Sequence, residues 1–246
     1  MTEHVRVSVR RQPRSQRSPR KRRWWRWVLA AIAALAVVIA GAVVLSVKGE
    51  ASAPALTLPA GPVRPPSDPL DGSWHVAGGS VAGFRLKQTV LGMGNYVSGQ
   101  TSGVTGTVVL SGSHVIRATL RVQLTAIKVS GKTQPQFGAS LRTSQHPVAT
   151  FTLRAPVALS PAFAAGGTMT VKATGQLAMN GISRPATVML SARRDGAVLQ
   201  AAGAIPVSFA RWDIKQPAGF GLLGSLANYG VAEFRLVLRR AISPVT

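Results

Sequence analysis

The chain has 246 residues, no cysteine, and 29 lysines and arginines against 7 acidic residues. This length allows one large domain with appendages, and the lack of cysteine excludes disulfides, thiolate metal sites and cysteine-linked lipid anchors. The charge is uneven, because ten of the basic residues lie in the first 27 positions.

Residues 1–23 form a basic arm rich in arginine, serine and proline. With so few apolar side chains the arm cannot bury a core, so we predict that it is disordered. Such an arm either binds nucleic acid or anionic lipid, or it orients a membrane segment that follows it. The next residues favour the second function and predict a cytoplasmic arm.

Residues 24–47 are predicted to form one transmembrane helix. Three tryptophans near its start suit the membrane interface, and residues 28–47 carry no charge. At about 1.5 Å per residue this run extends roughly 30 Å, the thickness of the hydrocarbon core. The run is too long for a typical signal peptide, and the small-residue site Ala51-Ser52-Ala53 precedes Pro54, so we expect an uncleaved anchor. The positive-inside rule then places the N-terminus in the cytoplasm and the C-terminal domain outside the plasma membrane.

Residues 48–70 contain six prolines and no hydrophobic periodicity. This composition predicts an extended extracytoplasmic linker that holds the following domain off the membrane. The domain itself is expected to span residues 71–246.

Alternation of apolar and polar residues dominates residues 71–246 and predicts strands with one buried face. The clearest unit spans residues 167–192, where two alternating runs flank Asn180-Gly181, a dipeptide typical of hairpin turns. Similar runs centre on residues 82–86, 116–124, 151–157, 199–209 and 234–238. About eight strands joined by short turns predict an antiparallel sheet, which either closes into a barrel or folds into a sandwich.

Residues able to carry out catalysis are scarce in this domain. Asp71 and Asp195 each precede a glycine and suit turns, and Glu233 alternates with apolar neighbours, so only Asp213 is free of a structural explanation. Paired-carboxylate catalysis needs two convergent acids, and the histidines lack the spacing of metal ligands. We therefore predict no catalytic residue, no metal and no cofactor. A hydrolase would require Asp213 and His146 to meet in one cleft.

Two features suggest ligand binding, each with an alternative. The apolar inward positions line a pocket or form a packed core, and the alternation favours neither. The apolar glycine-rich loop 220–226 suggests a lid or membrane-touching rim through Phe220, Leu222 and Leu223, or it folds over the end of the barrel.

The domain carries 17 lysines and arginines against four acids. Outside a membrane this charge fits anionic head groups or cell-wall phosphates better than nucleic acid, for which no recognition motif is present.

The order of several motifs resembles the YceI-like family of lipid-binding β-barrels, also called polyisoprenoid-binding proteins. The resemblance covers residues 71–242 and starts with Trp74 and the strand 80–84. Its most specific parts are Leu141-Arg142-Thr143-Ser144 with the following run 146–151, and the segment 175–185 that ends in Arg184-Pro185. One family motif near the C-terminus is altered, because Arg211-Trp212-Asp213-Ile214 lacks the glycine that normally follows.

The resemblance implies an all-β fold, an extended eight-stranded antiparallel lipocalin-like barrel, that binds or carries an isoprenoid-type lipid such as a polyprenyl or quinone-like molecule. It favours the pocket over the packed core, and it supplies no catalytic residue. The alternative is a non-catalytic cell-envelope interaction module that uses the basic outer surface, and a homodimer is left open. We predict that the mouth or lid includes Arg211, Trp212, Asp213, Phe220, Leu222 and Leu223. The cavity is predicted to be lined by Phe84, Leu86, Leu120, Val122, Phe151, Leu153, Met169, Val171, Val188, Leu190, Phe209 and Phe234.

Overall fold

The computed structural model describes residues 54–90, 92–216 and 224–241. The predicted basic arm, the predicted transmembrane helix and the loop residues Phe220, Leu222 and Leu223 lie outside these ranges. Within the described ranges, no helix has both the length and the hydropathy needed to cross a membrane.

The described residues form an antiparallel sheet of twelve strands. The strands are β1 (Gly72–Val76), β2 (Val81–Val90), β3 (Met93–Thr101), β4 (Val104–Ser111), β5 (His114–Gln123), β6 (Lys128–Val129), β7 (Val148–Leu153), β8 (Val157–Ala158), β9 (Thr168–Met179), β10 (Ile182–Asp195), β11 (Val198–Ser208) and β12 (Gly224–Arg240).

The sheet closes into a barrel. Strand β1 pairs with β4 on one side and with β12 on the other, so the sheet closes on itself. Because β1 continues into β2, and β3 into β4, each of these pairs acts as one bent barrel strand, which gives eight strand positions. The predicted barrel is confirmed and the sandwich is excluded.

The hairpin β9–β10 forms as its sequence predicts. Asn180 and Gly181 both have positive φ, 55° and 77°, the conformation that a two-residue hairpin turn requires. The pairing that starts at Met179 and Ile182 continues over twelve residue pairs. Alternate residues of β9 are buried, so one face of the hairpin forms part of the barrel interior.

Ser80 lies between the end of β1 and the start of β2, and its side chain keeps the bent strand attached to β12. Its hydroxyl donates to the Ala77 carbonyl at 2.8 Å and accepts from the Val237 N–H at 2.9 Å. Ser80 is buried, and its side chain supplies bonds that the interrupted backbone ladder lacks. The barrel therefore bends here without opening.

The alternation in β5 predicts that Ile116 faces the interior, but Ile116 is 49% exposed. The register of β4 and β5 changes at this point, because Arg117 pairs with Val109 whereas Val115 pairs with Leu110. Ile116 is the extra residue of a β-bulge, so the alternation shifts by one residue here and Ala118, not Arg117, is the next inward residue. Val115 takes the inward place instead.

The described residues include two short α-helices, α1 (Pro135–Ser140) and α2 (Pro161–Ala164), and α2 seals one end of the barrel. Phe163 on this helix is 2% exposed and belongs to a buried cluster that includes Trp74. The buried Arg194 donates to the Ala164 carbonyl at 3.0 Å, which fixes the end of the helix to β10. We call this the sealed end.

Residues 54–70, which we call the strap, run against the barrel although they contain no regular secondary structure. The Leu56 N–H donates to the Glu233 carboxylate at 3.2 Å, and Arg64 forms an ion pair with Asp195 at 3.0 Å. The Arg64 guanidinium, by its hydrogen bond, holds the pKa of Asp195 below its usual value. The described part of the predicted linker is thus bonded to the domain at several points.

Candidate functional site

The barrel encloses an apolar cavity of about 260 Å³. All eight strand positions contribute side chains to its wall, and almost none of the exposed wall surface is polar. Native interiors are normally close-packed, with few voids larger than a water molecule. The interior is therefore a pocket and not a filled core.

All twelve predicted cavity residues lie in this wall. They come from β2, β5, β7, β9, β10 and β12 and from the turn after β11, so distant parts of the chain meet as the alternation predicts. Contact with a lipid stays a prediction for each of them. The twelve are Phe84, Leu86, Leu120, Val122, Phe151, Leu153, Met169, Val171, Val188, Leu190, Phe209 and Phe234.

Two further phenylalanines that the strand pattern does not predict line opposite ends of the cavity. Phe137 lies on helix α1 (Pro135–Ser140) and Phe163 lies on α2. Each helix begins with proline and carries the phenylalanine two residues later, so the sequence Pro-x-Phe is the signal that could have found them. Proline is well suited to the first helical position.

Two of the cavity rings lie over glycines on a neighbouring strand. A side chain on Gly99 would begin 2.6 Å from the ring of Phe84, and one on Gly175 would overlap the ring of Phe151. The rings therefore extend along the wall where a side chain would otherwise stand. This arrangement leaves space in the middle of the barrel.

The end of the barrel opposite α2 is roofed by aromatic side chains. The rings of Phe84 and Phe137 lie with centroids 5.2 Å apart and their planes tilted by 35°. Both pack in a cluster with the buried Leu86 and Phe209. We call this the roofed end.

A second pocket of about 390 Å³, which we call the vestibule, lies beside α1 at the roofed end. It is bounded by α1 and by residues 124–133 and 141–144. Five of its residues also line the cavity, so the two spaces are adjacent and separated by shared side chains. These five are Phe84, Leu124, Ile127, Phe137 and Leu141.

The predicted mouth residues take different places at the roofed end. Arg211 and Asp213 are exposed, and the Arg211 guanidinium lies 5.3 Å from the centre of the Trp212 ring. Trp212 differs from the expectation of a rim residue, because it is only 1% exposed and packs in the core with Met179 and Val207. It contributes to the stability of this end and not to an accessible mouth.

Asn180 fixes the backbone of this turn from the β9–β10 hairpin. Its side-chain amide donates to the carbonyls of Trp212 at 2.7 Å and Asp213 at 2.9 Å, and it accepts from Arg142 at 2.7 Å. Asn180 is fully buried, and Arg142 also lies 3.4 Å from the Asp213 carboxylate. We call Arg142, Asn180 and Asp213 the Asn180 latch.

The latch joins the two motifs that carry the family resemblance, since Arg142 belongs to one and Asn180 to the other. It also gives Asp213 a structural partner, because the Asp213 carboxylate faces Arg142. Among the described residues, Asp213 and His146 share no hydrogen bond, and the His146 ring packs against Gly181 instead. The pairing that a hydrolase requires is therefore not seen.

A family model described as "YceI-like domain" matches residues 74–232. A solved structure of a polyisoprenoid-binding domain from Saccharophagus degradans, implicated in plant cell wall breakdown, is similar with a TM-score of 0.52 and 16% identity, over 69% of this chain and 98% of that one. BcnA from Burkholderia cenocepacia aligns with a TM-score of 0.45 and 16% identity, over 63% of this chain and 95% of that one. None of the curated proteins matches this chain. At this level of identity the structural likeness concerns the fold.

Proposed function

The chain belongs to the YceI-like family, and we propose that its barrel binds the hydrocarbon chain of an isoprenoid-type lipid. The observation that carries the proposal is the apolar cavity, whose wall includes all twelve residues expected to contact the lipid. The similar barrel from Saccharophagus degradans is described as a polyisoprenoid-binding domain, which supports the same ligand class here.

The binding energy would come from burial of the lipid chain. Each buried CH₂ group contributes about 0.8 kcal/mol, so a branched hydrocarbon can bind tightly without a charged anchor in the cavity. Binding alone is proposed, with no chemical step. Among the described residues no group of three or more His, Cys, Asp or Glu side chains is placed to hold a metal ion.

A series of prenyl alcohols of ten, fifteen and twenty carbons tests the proposal. Each added five-carbon unit that the cavity buries completely contributes up to about 4 kcal/mol and should tighten binding by up to roughly a thousandfold. A straight-chain alcohol of matched carbon number measures how far the branched shape matters. Equal and weak binding across the series would overturn the proposal.

The domain is proposed to lie outside the plasma membrane, attached by the predicted helix of residues 24–47. The length and lack of charge of residues 28–47 support this location. Protease added to intact cells should digest residues 54–246 and leave the anchor in the membrane fraction. Release of the whole chain by alkaline carbonate would contradict a membrane-spanning anchor.

A second candidate function rests on the basic outer surface, which would bind an anionic polymer of the cell envelope. Arg117, Arg121 and Lys172 are exposed, whereas the Glu233 and Asp195 carboxylates are already paired with arginines. Retention of the chain on isolated cell-wall polymer, lost steeply as salt is raised, would support this function. Both functions can coexist, since one uses the interior and the other the exterior.

A further inference from the structure

We infer that the outer surface of the roofed end rests on a membrane that contains anionic lipids. Exposed tyrosines and lysines on the outside of the barrel make this contact. It uses side chains that point away from the cavity, so it does not require a ligand inside the barrel.

Two exposed tyrosines stand on either side of a lysine on three neighbouring strands. Lys87 of β2 pairs with Tyr96 of β3. Tyr229 of β12 directly precedes Gly230, whose partner on β2 is Leu86, so Tyr229 lies on the other side of Lys87. The two tyrosines are 45% and 57% exposed, and Lys87 is exposed as well. We call Tyr96, Lys87 and Tyr229 the tyrosine–lysine row.

The tyrosine–lysine row belongs to a part of the wall that extends past the aromatic roof. Leu86 is buried in the cluster that contains the roof rings, and β2 continues beyond it to Val90. At about 3.3 Å per residue, this extension measures roughly 13 Å. Strands β3 and β12 run beside it, since Met93 and Gly224 both pair with Val90. The row therefore stands at the rim of the barrel.

The roofed end carries exposed positive charge that few acids oppose. Asp213 is the one acidic residue of this end within the described ranges, and its carboxylate lies 3.4 Å from Arg142. Two of the cations flank Val129, which packs with the roof rings. None of the exposed cations here forms an ion pair with a described acidic residue. These cations are Lys87, Lys128, Lys132, Arg184, Arg211 and Lys215.

The other four carboxylates of the described ranges lie away from this end. Glu233 is midway along β12 and pairs with Arg85 at 2.6 Å, so it does not oppose Lys87. The sealed end holds the remaining three, together with arginines of its own. These three are Asp68, Asp71 and Asp195. Positive charge is thus least opposed at the roofed end.

Tyrosine and lysine side by side suit the surface of an anionic bilayer. A tyrosine ring is apolar and its hydroxyl is polar, so tyrosine is favoured at the level of the head groups. Each lysine or arginine near an anionic surface strengthens the contact about fivefold. This attraction falls off within about 10 Å at 0.1 M salt. The contact therefore requires the row and the neighbouring cations to lie against the bilayer together.

Single labelled cysteines test which end touches the membrane, since the chain contains no cysteine of its own. Ser225→Cys places a label on β12 past the roof, and Ser111→Cys places one at the sealed end; both serines are exposed. The full chain, labelled with the fluorophore NBD, is reconstituted into vesicles of phosphatidylcholine, with or without phosphatidylglycerol as a third of the lipid.

We expect a shift of emission to shorter wavelength only for the label at position 225 and only in vesicles with phosphatidylglycerol. High salt should abolish the shift, because the attraction between the cations and the lipid is screened. The contact is read from the difference between the two labels, so the test holds whether or not residues 24–47 span the bilayer.

Two matched charge reversals separate a local contact from the overall charge. Lys87→Glu with Lys215→Glu alters the roofed end and should reduce the docked fraction at least about tenfold. Arg154→Glu with Arg239→Glu changes the net charge equally, at exposed positions away from that end, and should leave the shift in place. Equal loss of the shift in the two double variants would overturn the inference.

A further double variant tests the rings. Tyr96→Ser with Tyr229→Ser keeps the charge and should weaken docking severalfold. Equal shifts for the two labels, or the same shift in vesicles of phosphatidylcholine alone, would overturn the contact. So would a response of the label at position 225 to dissolved polyphosphate without a response to vesicles, which would assign the cations to a soluble polymer. Val122→Trp should abolish lipid binding in the cavity and keep the shift, so failure of the proposed function and failure of this contact are distinguishable.

Discussion

Filling the cavity should stabilise the empty barrel and weaken lipid binding at the same time. Ala173 lies on the inward face of β9, is 4% exposed and lines the cavity. Ala173→Leu places three more carbon atoms in the cavity, worth up to about 2.4 kcal/mol of burial at about 0.8 kcal/mol per carbon. The same three carbons displace part of the lipid chain, which should weaken binding about fiftyfold.

Urea unfolding and lipid binding of the same variant measure the two effects. Ala178→Leu is the matched control, because Ala178 lies on the outer face of the same strand and is not part of the cavity wall. The control should change lipid affinity little. If Ala173→Leu lowers stability and leaves binding intact, the interior is a packed core that resists insertion, and the reasoning fails.

Three further predictions concern the wall, the latch and the strap. Val122→Trp should block lipid binding while circular dichroism still reports a folded barrel, because Val122 lines the cavity; unchanged binding would contradict its inward assignment. Asn180→Ala should lower the free energy of unfolding by about 3 kcal/mol, since buried partners lose their hydrogen bonds; a loss under 1 kcal/mol in urea would count against the latch. The Arg64–Asp195 pair should stabilise the folded protein fully at pH values above 3.8, the ordinary pKa of an aspartate. This stabilisation should be lost as the pH falls through the lowered pKa that Asp195 has in the folded protein. Asp195→Asn should remove the ion pair at neutral pH and so loosen the strap. The Gly196 amide, which donates to the Arg64 carbonyl, should then exchange its hydrogen faster after correction for intrinsic rates. Identical exchange in the variant and the unaltered protein would refute this prediction.

The strands and the cavity wall could be predicted because their signal is local. One-sided burial of a strand gives period-two alternation, and Asn180-Gly181 matches its turn chemistry. The closure of the barrel is not local, since it depends on pairing of β1 with β12 across most of the chain. Here the family resemblance, and not the alternation, distinguished a barrel from a sandwich.

The misassigned residues depend on partners that are distant in sequence. Ile116 turns outward because β4 sets the register of a bulge, which no pattern within β5 reveals. Trp212 is buried because Asn180 holds the backbone of its turn. Helix α1 is too short to display a helical period, so the placement of Phe137 had no periodic signal.

The strap illustrates the same limit for a proline-rich segment. Its composition is typical of a linker, and the composition carries no information about Asp195 or Glu233, which lie 131 and 177 residues away from their strap partners. Contacts at such separations emerge only once the barrel has formed.

The measurement that tests the central claim most directly is mass spectrometry of the lipids that co-purify with the full chain from the cells that make it. After removal of detergent, the protein is extracted with organic solvent and the extract is compared with that of the Val122→Trp variant. We expect a stoichiometric polyprenyl or quinone-like species that the variant lacks. A folded protein that carries no lipid, or the same lipid in both preparations, would contradict lipid binding in the cavity.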